Sequence, residues 1–133
     1  MREVRLLGSR GQILRALAPE TRRERMRGLI GRALLAEDEA LLLERTRSIH
    51  TFGMRWAICA ALLDGELTVR SVRAVPPSRL LLPRLRVRHV LECAVGTDLR
   101  PGDRLRVVIR TEGPGGRPLY FPALPPGRGR GAV

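Results

Sequence analysis

Apolar and polar residues alternate in short bursts along much of this chain, the period of β-strands rather than helices. Val4 and Leu6, then Ile13, Leu14 and Leu17, flank Gly8-Ser9-Arg10-Gly11 and predict two short strands joined by a glycine-bounded turn. Residues 21–32 switch to helical spacing, with Met26, Leu29 and Ile30 on one stripe. Thr21 and Glu24 fit a capping box at the start of that helix, just after Pro19. Gly28 and Gly31 each weaken a helix by about 1 kcal/mol, so they predict a close backbone approach or an early end. Ala40-Leu41-Leu42-Leu43 reads as a short buried strand, and Ile49 to Met54 leads into a second, Ala57 to Leu63. Asp64-Gly65 is a hairpin turn signal, and the partner strand runs from Glu66 to Val75. The alternation of that partner slips at Arg70-Ser71, which predicts a bulge.

Residues 85–95 hold the longest alternation. Leu85, Val87, His89, Leu91, Cys93 and Val95 share one parity and predict a core face; Glu92 falls on the other side with Arg86 and Arg88. Leu105, Val107 and Ile109 alternate with arginines in a last strand. Residues 113–133 hold six glycines and five prolines, too little apolar surface to offset ordering, and predict a disordered Gly/Pro/Arg-rich tail. The expected architecture is mainly β. Residues 1–112 form one small β-sandwich or barrel-like domain with one short helix in its N-terminal half.

Composition bounds the function without choosing it. At 133 residues the chain is long enough for one domain with a core. Its net charge of +12 invites a nucleic-acid partner. Yet all 25 basic residues are arginine, and lysine and asparagine are absent, as GC-rich coding produces. The two ends, 1–18 and 113–133, each carry +3, and the middle holds 18 arginines against 12 acids, so no basic arm stands out. Cys59 and Cys93 lack metal-ligand spacing and read as reduced, buried thiols, bridgeable only if their strands are adjacent. The N-terminal stretch has no signal-peptide run, and the apolar segment from Trp56 to Leu63 is too short to span a bilayer. A cytoplasmic protein without membrane insertion is expected.

Six motifs appear in order: Arg27-Gly28-Leu29-Ile30-Gly31-Arg32, Ser48 to Arg55, Leu62-Leu63-Asp64-Gly65, Val90-Leu91-Glu92, Gly96, and Pro101-Gly102-Asp103. Together they resemble the domain of unknown function 192 family over about residues 13–110, and the His-Thr-Phe-Gly-Met-Arg form resembles actinobacterial members. The resemblance implies a compact β-sandwich or barrel-like domain with a short helix, and no established activity. Typical members carry Asp where this chain has Cys59.

The chemistry-bearing residues offer a binding site more readily than a catalytic one. Arg27, Arg32 and Arg55 match family arginines and suit a bidentate anion pocket, with structural ion pairs to Glu92 or Asp103 as the plainer reading. His50 joins that candidate set, though a lone histidine is more often bonded to backbone. Met54 and Glu92 complete the candidate ligand-binding residues; His89 reads as packing. An enzyme would need His50 with an acid or with Cys59 as nucleophile, in hydrogen-bond reach. No phosphate loop, dinucleotide fingerprint, serine elbow or metal set is present, so no cofactor and no metal are expected. The expected function is a non-enzymatic β domain binding a small anionic ligand, a glycan or a protein partner. Electrostatic nucleic-acid binding is the further alternative.

Overall fold

Strand-period segments dominate the fold. The computed structural model describes residues 2–27, 35–112 and 118–122. In chain order they form β1 (Arg2–Gly8), β2 (Ile13–Ala18), α1 (Arg22–Arg27), β3 (Glu39–Leu43), β4 (Ile49–His50), β5 (Ile58–Leu63), β6 (Val69–Val75), β7 (Leu80–Leu81), β8 (His89–Cys93), β9 (Leu105–Glu112) and β10 (Pro118–Pro122). Eight strands make one sheet in the order β10-β9-β1-β2-β3-β8-β5-β6, and β4 with β7 forms a separate two-stranded ribbon. The β2–β3 pair is parallel and needs a crossover, which residues 19–38 supply with α1 on the way. Thr21 Oγ1 accepts the Glu24 backbone N–H at 3.1 Å, so the capping residue acts as its type predicts. None of the side chains of α1 is buried, Met26 included. The rest of the expected helical stripe, with Arg32, lies outside the described residues.

Both faces of the central strands are buried. Leu42, Ala61, Leu63 and Leu91 pack with Leu6, Leu14 and Leu105 on one side. Leu41, Leu43, Ala60, Leu62 and Val90 pack with Ile49, Ile58, Val75 and Val87 on the other. This is why β3 and β5 read as continuous apolar runs. The slip in β6 is a bulge: Leu62 faces Ser71 and Leu63 faces Val69, leaving Arg70 as the extra residue.

Two expectations change. The strand over 85–95 shortens to β8, because Leu85 and Arg86 form a turn with Arg86 at φ +69°. Leu85 and Val95 are exposed despite their core parity, while Glu92 is buried despite the opposite parity. Leu85 and Val95 lie beyond the ends of β8, and Glu92 lies where the sheet is covered on both sides. The expected tail also contributes a strand, since β10 pairs with β9 from Pro118 opposite Glu112 to Pro122 opposite Val108. Residues 113–117 and 123–133 lie outside the described residues.

The sheet curls until its far strands meet. Thr68 bridges Arg104, Val69 N–H donates to Asp103 O at 2.8 Å, and Gly102 N–H donates to Val69 O at 2.7 Å. The seven strands from β9 round to β6 thus form a half-barrel, closed at one end. Asp103 anchors this seam. Arg10 forks onto it, with Nε to Oδ1 and a terminal nitrogen to Oδ2, both 2.8 Å. Gln12 Nε2 and the Arg100 backbone N–H also donate to Oδ2, at 2.9 and 2.8 Å. The Arg10 guanidinium holds the Asp103 carboxyl down to about 2, from an ordinary 3.8. A lowered carboxyl stabilises the fold above its unfolded value, and that contribution is lost as pH falls from about 4 to about 2. Asp103→Asn is expected to destabilise the protein by about 2 kcal/mol at pH 7, read from urea midpoints. The gap between variant and parent should close at pH 2; a constant gap would mean that charge is not what holds the seam.

Candidate functional site

The segment from Ile49 to Arg55 is held against residues 76–81 by one buried threonine. Thr51 N–H donates to Arg79 O at 2.8 Å, its hydroxyl donates to Pro76 O at 2.6 Å, and the hydroxyl oxygen accepts Arg79 N–H at 2.9 Å. Its carbonyl accepts N–H groups from Ser78 and Met54. β4 and β7 then pair with Ile49 opposite Leu81 and His50 opposite Leu80. Ile49 and Leu81 pack inward on the core. His50 and Leu80 point outward, and Phe52 stacks on the His50 ring at 5.4 Å and 24°.

This ribbon carries an unusual surface. Phe52, Trp56, Leu80, Leu82 and Leu85 are between 46% and 86% exposed. From Arg45 to Leu91 the chain carries nine arginines, and its only acids are Asp64 and Glu66, at the β5–β6 turn. Folding draws several of the arginines together: an Arg47 terminal nitrogen donates to Arg84 O at 3.4 Å, and the Arg45 N–H donates to His89 Nδ1 at 3.0 Å. Arg47, Arg55, Arg79, Arg84 and Arg86 lie exposed on the ribbon and its flanking turns, while Arg70 and Arg73 lie on β6.

The candidate residues do not converge on a cleft. His50 and Arg55 are exposed on this module, Met54 is half-buried against the core beneath it, and Arg27 is exposed at the end of α1. Glu92 is 4% exposed, between Leu41 and Ala60 in register. Among the described residues no hydrogen bond or ion pair joins Arg27, His50, Arg55 or Glu92, and no group of metal-ligating side chains forms. A depression of about 140 Å³ beside β2 and β3, lined by Arg15, Leu17, Leu35, Glu39 and Leu41 among others, is smaller than the usual small-molecule pocket. The ion-pair role suggested for Asp103 goes to Arg10. Sequence reasoning missed Thr51, which sits inside the His-Thr-Phe-Gly motif, and missed the exposed leucines, whose type signals core.

The sheet also separates the imagined catalytic group. Cys59 lies directly opposite Cys93 on adjacent strands, on the face with Ala61 and Leu91. Glu92 faces the other way, with Ala60, and His50 is outside. The Cys93 thiol donates toward Cys59 O at 3.5 Å; the contact between the two thiols lowers that of Cys59 and, with burial, raises that of Cys93. Cys59 is nonetheless buried in the apolar core, away from the partly exposed setting a nucleophile needs. His89 is structural: burial lowers its titration, and its Nδ1 accepts a backbone N–H.

Geometry thus defines a class: a curled-sheet β domain with a cationic, partly apolar ribbon and no assembled catalytic group among the described residues. The chain belongs to the DUF192 family, described as an uncharacterized ACR, whose model matches residues 6–107. A search of curated proteins finds no match. It is similar in structure to a Sinorhizobium meliloti protein provisionally described as a transcription regulator, with TM-score 0.65 and 26% identity, covering 79% of this chain and 92% of that one. A Novosphingobium aromaticivorans protein of unknown function shares the fold at TM-score 0.65 and 22% identity, covering 77% and 82%. Among the described residues no helix is long and apolar enough to cross a membrane.

Glu92 has a measurable consequence. Its Oε2 is buried without a hydrogen-bond partner among the described residues, and burial pushes the carboxyl up to about 7 from an ordinary 4.5. Between those values the folded chain keeps a proton that the unfolded chain releases, so stability falls as pH rises through the window. Glu92→Gln is expected to flatten that slope and to stabilise the protein by about 2 kcal/mol at pH 8, with little change at pH 4.5. Urea titrations across this range check it. Equal slopes in parent and variant would show that the buried carboxyl is compensated.

Proposed function

We propose that the chain is a cytoplasmic, non-enzymatic binding domain of the actinobacterial type, which holds an anionic partner on the surface around His50 and Arg55. The observation that carries this reading is the nine arginines between Arg45 and Leu91, facing two acids at a single turn. Arginine forks suit phosphate, sulfate or carboxylate groups. Exposed aromatics beside them suit a partner with an apolar part. Thr51 and the packing of Met54 make this surface rigid, which lowers the entropic cost of binding. Arg27, Arg32 and Glu92 belong to the proposed set through their family-matching segments.

Nucleic acid is the second reading, favoured by the provisional description of the Sinorhizobium meliloti structure. Both readings require a polyanion to bind here. Retention of the full chain on a sulfated polysaccharide column tests this. Arg79→Ala with Arg84→Ala is expected to lower the salt needed for elution and to reduce the salt slope by about 2, one per lost contact. Arg106→Ala, an exposed control on β9, should leave both unchanged. Equal effects from pair and control would remove the ribbon as the site.

A further inference from the structure

We infer that the anionic partner of this surface is a phospholipid bilayer bearing negatively charged headgroups, met edge-on by the β4–β7 ribbon and its flanking turns. The inference rests on the anionic-partner reading and names its chemistry. Arginines alone would fit any polyanion; the aliphatic side chains among them discriminate. Leu80 stands outward on the ribbon opposite His50, Leu82 shares its parity, and Leu85 sits in the next turn at 86% exposure. Leucine has no π-face for base stacking and no donor for a sulfated sugar. It does gain from entering an acyl boundary, as Trp56 and Phe52 do from the headgroup level.

The shape agrees. These side chains lie on turn tips and on the outer side of a ribbon: Phe52 and Gly53 form one turn, Leu85 and Arg86 another. Such projections can enter a soft surface, whereas a peptide needs a groove. Arg47, Arg55, Arg79, Arg84 and Arg86 belong to the same segments and are exposed, placed to meet headgroup phosphates while the apolar groups dip below. The arrangement is that of a peripheral domain: apolar contacts supply depth and arginines supply selectivity for negative lipid.

The chain carries its own probe, because Trp56 is its single tryptophan. The full chain is mixed with phosphatidylcholine vesicles with or without phosphatidylglycerol, and both co-sedimentation and Trp56 emission are read. Binding with a blue shift is expected only with the anionic lipid. Leu80→Ser with Leu82→Ser should weaken vesicle binding about tenfold, yet leave retention on the sulfated polysaccharide unchanged. Both leucines are exposed, so the fold should tolerate the change. Polysaccharide retention without vesicle binding would overturn the lipid inference and leave the anionic-partner reading standing. Failure on both supports would overturn both. Vesicle binding indifferent to the leucine changes, or tighter binding to single-stranded nucleic acid than to vesicles, would also overturn the inference.

Discussion

One ion pair, Arg10 with Asp103, braces the seam at which this sheet closes into a half-barrel. β6 and β9 lie at opposite ends of a run of seven strands and meet only through residues 67–69 and 102–105. That meeting is short, so the loop supplying it has to be stiff. Asp103 stiffens it from three directions, taking Arg10 and Gln12 from the β1–β2 turn and the Arg100 amide from its own loop. Gly8 belongs to the same device: a side chain there would collide with Gln12. Gly102 is held at φ +94° while it donates across the seam, a conformation that favours glycine.

The cover that Ile49, Val75 and Val87 lay over the second face of the sheet explains the burial of Glu92. Once the sheet curls, β3, β5 and β8 run through its middle with one apolar cluster on each side. A carboxyl on β8 then has no route to water that its neighbours leave open on both oxygens. Glu92 and Asp103 are thus two acids treated oppositely by one fold. The first is raised by burial without a partner, the second lowered by a paired guanidinium. Their effects on stability run in opposite directions with pH. Between them they favour mildly acidic conditions, above the range where Asp103 loses its charge and below the range where Glu92 gains one.

The parts of the fold legible in the sequence were those governed by local chemistry. Glycine marked the β1–β2 turn, Thr21 the helix start, the parity slip at Arg70-Ser71 the bulge, and Asp64-Gly65 the β5–β6 hairpin. What escaped depended on long-range packing. Parity in 85–95 predicts a face only within a strand that has one side in water; with both sides of β8 covered Glu92 is buried, and Leu85 is exposed because it lies in a turn before the strand begins. Similarly, β10 looked like tail because the glycines and prolines of 113–133 carry no strand period, yet β9 offered an edge for it.

The candidate site was legible by motif but not by mechanism. His50 and Arg55 stood out because histidine and arginine bear chemistry. The residue that arranges them is Thr51, an uncharged side chain whose role exists only through Pro76 and Arg79, more than twenty positions away. The leucines were hidden by the opposite error, since an apolar residue in an alternating run is ordinarily core. Their exposure is informative because it is unforced: the core already has Ile49 and Leu81 from the same ribbon. The ribbon buries one apolar pair and leaves its other side apolar as well, with exposed arginines in the segments around it. Genome composition accounts for arginine in place of lysine, but not for an almost acid-free stretch from Arg45 to Leu91.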